Sequence, residues 1–193
     1  MSFAKQMRQH RVDILIVVGL AIAIAISTYL GTNKIPNPIF TDLYAQDVWF
    51  GSDIPTVFGN ITSLNSDFGR NNKHPLFPLF VFPLVFGLGK LLHLEPISAV
   101  RLLVVGVAVL WIGSLYALFR CMGCQRLDAT LFSILGGVSS ASVFWLVVPE
   151  SFSFGSLTIL LGLIFVTLTQ YRPFPSVWYV VVNLLTVSIT ITN

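Results

Sequence analysis

Charged residues are scarce in this chain. Only 10% of its 193 residues are Asp, Glu, Lys or Arg, whereas a typical soluble domain has about 25%. Hydrophobic residues make up 55% of the chain, and its mean hydropathy is +0.84. This balance excludes an ordinary soluble domain and a disordered chain, and it indicates a polytopic membrane protein.

Cysteine and net charge of one sign are also scarce. Two cysteines in 193 residues exclude a disulfide-stapled secreted scaffold. They form the pair Cys121-Met122-Gly123-Cys124, but no second Cys or His pair accompanies it as a zinc site requires. The net charge of +3 is small and scattered over apolar sequence, so we expect no nucleic-acid partner.

Long apolar runs dominate the sequence. A helix needs about 20 largely apolar residues to cross the hydrocarbon of a bilayer, because lipid offers no hydrogen-bond partner to the backbone. Five stretches are predicted to span: 13–31, 99–119, 129–148, 152–170 and 177–193. We therefore predict an all-α polytopic membrane protein with a single transmembrane domain over 1–193. The last stretch is still apolar at Asn193, so we expect the N-terminal part of a longer protein.

The stretch 75–92 decides the topology. It is apolar, but Pro75, Pro78 and Pro83 make it a poor spanning helix. If it lies in the membrane interface, Arg120, Arg126 and Arg172 fall on the same side as the basic N-terminus, as the positive-inside rule favours. We therefore expect a cytoplasmic N-terminus, and an external loop over 32–98 that contains a juxtamembrane helix at 75–92. The alternative is a proline-kinked spanning helix.

The predicted external loop concentrates the ionisable groups of the chain. Carboxylates near a membrane act as general bases or metal ligands, and cations bind phosphate headgroups. For each residue the alternative is simply a charge on a loop in water. The loop contains Asp42, Asp47, Asp53, Asp67, Arg70, Lys73 and His74.

Two motifs in the loop have specific geometry. In Gly51-Ser52-Asp53-Ile54-Pro55 the proline favours an extended residue before it, and Ser52 or Asp53 could cap a following short helix. Asp53 is thus either a cap or a carboxylate that accepts a proton. In the second motif, Lys73 and His74 precede an apolar helix with proline in its first turn, which is typical either of an anion site or of interfacial anchoring.

Glu150 and Arg101 complete the candidate residues. Glu150 lies between two apolar segments, on the side predicted to face the loop. It is either an N-terminal helix residue favoured by the helix dipole or part of a site. Arg101, near the external end of the second span, is the most obvious partner for Glu150 or for a loop carboxylate.

The layout resembles the N-terminal part of the GT-C superfamily of integral-membrane glycosyltransferases. The motifs that carry the resemblance are Gly51-Ser52-Asp53-Ile54-Pro55, Lys73-His74-Pro75-Leu76-Phe77-Pro78-Leu79 and Val148-Pro149-Glu150-Ser151. The second is similar to a His-Pro-Pro-Leu segment of protein mannosyltransferases, although Leu76 stands where a second proline is expected. A clear Asp-Glu pair just after the first helix is also missing.

The resemblance implies transfer of a sugar from a polyprenyl-phosphate donor to an acceptor on the external face of a bacterial inner membrane. Asp53 would be the catalytic base, with Asp47 and Asp42 as the next candidates. The substrate-binding residues would be Arg70, Lys73, His74, Glu150 and Arg101. A divalent metal ion is left open, and the acceptor is unknown.

Two other functions are compatible with the same sequence. A non-catalytic membrane subunit or scaffold would bind a protein partner through the external loop. A transporter is less favoured, because the clear spans have ionisable residues only near their ends, at Asp13 and Arg101.

Overall fold

The fold is helical throughout the part of the chain that is described. The computed structural model describes residues 3–42, 49–65 and 76–190, with the backbone alone for 3–10, 187, 188 and 190. Every regular element in these ranges is an α-helix, so the predicted all-α class is confirmed. The helices are α1 (Phe3–Thr32), α2 (Pro38–Thr41), α3 (Ile54–Thr62), α4 (Phe77–Leu92), α5 (Pro96–Cys121), α6 (Arg126–Val138), α7 (Ser140–Trp145), α8 (Ser151–Thr169) and α9 (Ser176–Thr190).

Three of the described helices are long and apolar enough to cross a membrane. Their segments Arg11–Thr32, Pro96–Cys121 and Ser151–Thr169 have mean hydropathies of 2.5, 2.4 and 2.0. Large apolar side chains point outward from them, including Leu15, which is 70% exposed, and Leu110, which is 60% exposed. Water would not tolerate so much exposed apolar surface, whereas lipid does. The chain is therefore assigned as an integral membrane protein.

Helices α1 and α5 pack against each other in opposite directions, and an ion cluster joins them at one end. The Asp13 carboxylate accepts hydrogen bonds from Tyr116 at 2.8 Å and from Arg126 at 3.0 Å, and it pairs with Arg120 at 3.2 Å. The hydrogen bond to Asp13 raises the pKa of the Arg126 guanidinium above its ordinary value. Asp13 thus ties the start of α1 to the end of α5 and the start of α6. We call this the Asp13 end of the bundle.

A second polar cluster joins α1 and α5 at the opposite end. Arg101, in the second turn of α5, donates to the Ile35 carbonyl at 2.8 Å and to Asn37 Oδ1 at 2.9 Å. It also lies 3.4 Å from Asn33 Oδ1. The segment that follows α1 is therefore held against the start of α5. We call this the Arg101 end.

Helix α4 lies within the stretch 75–92, for which the sequence predicts a juxtamembrane helix. It covers Phe77–Leu92, and its 16 residues span about 24 Å, which is shorter than the hydrocarbon core of about 30 Å. Phe77, Val81 and Val85 recur every four residues and are buried, so one face packs on α5 and α3 while the other stays apolar and exposed. Lys90 and His93 end α4 close to the start of α5, at the Arg101 end.

The stretch predicted as one helix over 129–148 is broken in the structure. Helix α6 ends at Val138, and α7 begins at Ser140, after the extended residue Ser139. The Ser139 hydroxyl donates to the Gly136 carbonyl and accepts from the Ser142 amide, so side-chain bonds replace those of a continuous helix. The same segment begins beside Asp13 and reaches Gly31 through Val147.

Helix α8 runs in the same direction as α5. Trp111 donates from Nε1 to the Ser156 hydroxyl at 2.8 Å, and the Tyr171 hydroxyl, just after α8, donates to the Cys121 carbonyl at the end of α5. Helix α9 packs on α8, with Phe165 and Tyr179 in edge contact at 5.1 Å. Residues 171–176 therefore lie at the Asp13 end, whereas α8 begins nearer the Arg101 end.

We predict that Gly31→Ala destabilises the bundle while Gly19→Ala does not. A Cβ atom on Gly31 would lie 2.7 Å from Val147 Cγ2, whereas nothing lies within 4 Å of a Cβ on Gly19. Gly19 lies in the middle of α1, so its substitution gains helix propensity without a clash, whereas Gly31 lies in the last turn and meets Val147 at a cost of about 1–3 kcal/mol. Thermal unfolding midpoints of the purified variants in one detergent measure it, and equal midpoints would contradict the close approach.

Candidate functional site

The candidate site begins with a tight turn ahead of α3. The Ser52 amide donates to the Trp49 carbonyl at 2.9 Å, and the two residues between them have positive φ, 50° at Phe50 and 73° at Gly51. That pattern is typical of a type I′ turn, in which glycine is easy and phenylalanine is strained. The turn delivers Asp53 to the start of α3, and Pro55 follows in the first turn of the helix, as predicted.

The Asp53 side chain does not cap α3. Asp53 is the N-cap residue by position, but its side chain makes no capping hydrogen bond to the helix. Its backbone carbonyl accepts from the Val57 amide at 3.0 Å. The Asp53 carboxylate therefore does not have the helix-capping role that the sequence suggested.

Glu150 is the residue that fixes Asp53 in place. It is 1% exposed, and its Oε1 accepts the Asp53 backbone N–H at 3.1 Å. Its Oε2 accepts the Ser151 N–H at 2.6 Å, so the same carboxylate also caps α8. A buried carboxylate needs such donors, because burial without them is costly. One side chain therefore joins two segments that lie 97 residues apart in the sequence.

Aromatic rings continue from this turn along α7 to α8. Phe50 packs edge-on against Phe144 at 5.1 Å, and Phe144 contacts Trp145 at 4.8 Å. Trp145 in turn lies 4.4 Å from Phe152, the second residue of α8. Behind Trp145 and Phe152 a shallow groove reaches Trp111 of α5. The Asp53 turn therefore sits on a surface formed by the broken helix and the start of α8.

The structure brings Asp53 and Glu150 together and places the other described candidates elsewhere. Asp42 ends α2 and is exposed, and its N–H donates to the Pro38 carbonyl at 2.8 Å. Arg101 donates to the segment after α1, whereas the Glu150 carboxylate accepts from the Asp53 and Ser151 amides. Four candidates fall outside the described residues: Asp47, Arg70, Lys73 and His74.

A metal site is not formed by the residues in 3–42, 49–65 and 76–190. In those ranges no three His, Cys, Asp or Glu side chains gather closely enough to hold an ion. Cys121 and Cys124 are half-buried free thiols at the Asp13 end, far along α5 from the Asp53 turn.

Two residues near the site escaped sequence analysis. Phe50 supports the Asp53 turn through Phe144, and the only hint of it was the Phe-Gly pair ahead of the Ser-Asp motif. Gly31 lets Val147 approach α1 closely, three residues before Glu150. The sequence around Gly31 does not distinguish it from the other glycines of the apolar segments. Both act through contacts between segments that are distant along the chain.

Comparison with known proteins assigns no family to the chain. No protein-family model, no curated protein and no solved structure matches it.

We predict that Glu150→Leu destabilises the protein more than Glu150→Gln. Leucine leaves the Asp53 and Ser151 amides without an acceptor, at a cost of about 1–3 kcal/mol for each buried group, whereas glutamine keeps one carbonyl oxygen. Glu95→Leu is the matched control, because Glu95 precedes α5 but is exposed and makes no capping bond. Unfolding midpoints are compared, and equal losses at positions 95 and 150 would refute the assignment.

Proposed function

We propose that this chain is part of a membrane glycosyltransferase that moves a sugar from a polyprenyl-phosphate donor to an acceptor hydroxyl or amine. The observation that carries the proposal is the hydrogen bond between Glu150 Oε1 and the Asp53 amide. Two carboxylate residues singled out by separate GT-C-like motifs meet in space.

In this mechanism the two carboxylates have different tasks. The Asp53 carboxylate removes the proton from the acceptor, whose oxygen or nitrogen then bonds to the anomeric carbon of the sugar. The bond between that carbon and the phosphate oxygen breaks, and its electron pair leaves with the lipid phosphate. The cationic residues Arg70, Lys73 and His74 are proposed to stabilise the departing phosphate. Buried Glu150 holds the backbone that carries Asp53.

The distribution of charge supports a cytoplasmic Asp13 end. Basic residues follow the positive-inside rule, which counts Lys and Arg near the ends of spans. The Asp13 end has six of them in the sequence: Lys5, Arg8, Arg11, Arg120, Arg126 and Arg172. The other five are Lys34, Arg70, Lys73, Lys90 and Arg101. Of these, Lys34, Lys90 and Arg101 lie within about 20 residues of the end of a span, where the rule counts them, and Arg70 and Lys73 lie farther away. The Asp53 turn would then face the outside of a bacterial inner membrane, where lipid-linked sugars are used.

We also propose that the chain crosses the membrane five times, with the α6–α7 segment and α9 added to the three long helices. The α6–α7 segment begins beside Asp13 and reaches Gly31, so it travels between the two ends of the bundle as α1 does. Helix α9 follows Arg172, packs on α8 and belongs to the apolar stretch 177–193 of the sequence, whose 17 residues reach the lower limit for a span. Helix α4 would remain at the external face, half embedded in the membrane.

We predict that Asp53→Asn lowers sugar transfer about 10²- to 10⁴-fold, the usual contribution of a general base. Membranes with the complete gene product are offered a panel of radiolabelled polyprenyl-phosphate sugars, and loss of label from the donor lipid is followed. Asp128→Asn is the matched control, since Asp128 is an exposed carboxylate at the Asp13 end.

The outcomes separate the alternatives. Full transfer by Asp53→Asn would move the base to Asp47 or Asp42. An absence of transfer from every donor by the unmodified protein would reject the glycosyltransferase proposal and leave the scaffold function.

We also predict that the two ends of the bundle label from opposite sides of the membrane. Cys121 and Cys124 should react with a membrane-impermeant maleimide only after cells are permeabilised. In a Cys121→Ser, Cys124→Ser background, Lys34→Cys should react with intact cells, because Lys34 is exposed at the Arg101 end. Labelling of both sites from the same side would contradict the proposed topology.

A further inference from the structure

Arg101 is partly exposed, and its hydrogen bonds go to groups of its own chain. Its Nη2 donates to the Ile35 carbonyl at 2.8 Å and to Asn37 Oδ1 at 2.9 Å, and its Nη1 lies 3.4 Å from Asn33 Oδ1. Its Nε is buried without a hydrogen-bond partner in the described part of the chain. The guanidinium is therefore directed at the connector between α1 and α2.

A side chain of the connector accepts a hydrogen bond from Arg101 and does not cap α2. Asn37 is the N-cap residue of α2, yet its side chain does not cap that helix. Asn37 Oδ1 accepts from Arg101 instead. A four-residue helix has little stability of its own, because nucleating a helix is unfavourable. The position of α2 therefore depends on contacts with α5 and α3.

An aromatic pair carries the contact from Arg101 to α3. The guanidinium lies over the Phe40 ring, 5.2 Å from its centroid, and Phe40 is 0% exposed. Phe40 packs edge-on against Phe58 of α3, with the ring centroids 5.6 Å apart. Phe58 is one turn from the start of the helix that Asp53 precedes. An unbroken series of contacts thus runs from α5 to the Asp53 helix.

We infer that Arg101 is a positioning residue, which holds α3 and thereby Asp53 through the connector and Phe40. The structural part of this inference is independent of the proposed function, and only the expected effect of Arg101 on catalysis rests on it. Two supports then fix Asp53, because Glu150 holds its amide from α8 while Arg101 holds the far side of its helix from α5. The role differs from the substrate-binding role that the sequence suggested, which would need the guanidinium to face a donor phosphate.

The first test does not depend on activity. Hydrogen exchange is measured on the full chain in detergent for the wild type and for Arg101→Ala, Phe40→Leu and Lys34→Ala. We expect amides of α3 to exchange at least tenfold faster in the first two variants, with α8 unchanged. Lys34→Ala, which removes an exposed cation from the same connector, should match the wild type. Unchanged exchange in α3 of Arg101→Ala would overturn the inference, whether or not the protein transfers sugars.

The second test separates positioning from donor binding. With a donor that supports transfer, Arg101→Ala should lower kcat about 10- to 100-fold and change the donor KM less than threefold, since small misplacements of a catalytic group are costly. Phe40→Leu should do the same without loss of charge. Arg101→Lys should rescue poorly, because lysine lacks both the second terminal nitrogen that lies near Asn33 and the planar group that lies over Phe40. A raised donor KM with unchanged kcat, restored by lysine, would assign Arg101 to the substrate instead.

Discussion

The antiparallel pairing of α1 and α5 is the constraint on which the other described elements depend. Polar side chains fix it at both ends, with Asp13 bound to Arg120 and Arg126 at one end and Arg101 bound to the α1–α2 connector at the other. In hydrocarbon the apolar faces between these clusters gain little from contact with each other rather than with lipid. Directional bonds at the ends of the helices therefore set which segments meet.

The candidate site follows from that pairing. Because α1 and α5 start and finish at opposite ends, the chain from 33 to 95 must begin and end at the Arg101 end. Helix α4 consequently packs on α5, α3 packs on α4 and α2, and Arg101 of α5 lies over Phe40 of α2. The start of α8 reaches the same region through the hydrogen bond between Glu150 and Asp53. Loop residues and the start of α8 can then share one buried carboxylate, Glu150.

Sequence analysis anticipated the elements better than their contacts. Hydropathy located α1, α5 and α8, because a long apolar run has few alternatives to a spanning helix. It did not predict the break at Ser139, since glycine and serine read as small packing residues, and the break depends on which carbonyl the hydroxyl reaches. Topology placed Asp53 and Glu150 on one side, but their hydrogen bond is a contact between distant segments. Arg101 was matched by charge to a carboxylate, whereas neutral oxygens of the connector surround it.

Burial gives the two carboxylates of the site unequal roles. Glu150 is 1% exposed and accepts two backbone N–H bonds, so its oxygens are committed to structure, and removing them would leave buried donors unpaired. Asp53 contributes its backbone N–H and carbonyl to local structure and is partly exposed, whereas Glu150 is buried. A general base needs both a rigid backbone and access to the proton it removes. Under the proposed function, the hydrogen bond from Glu150 would supply the rigid backbone, and the partial exposure of Asp53 would supply the access.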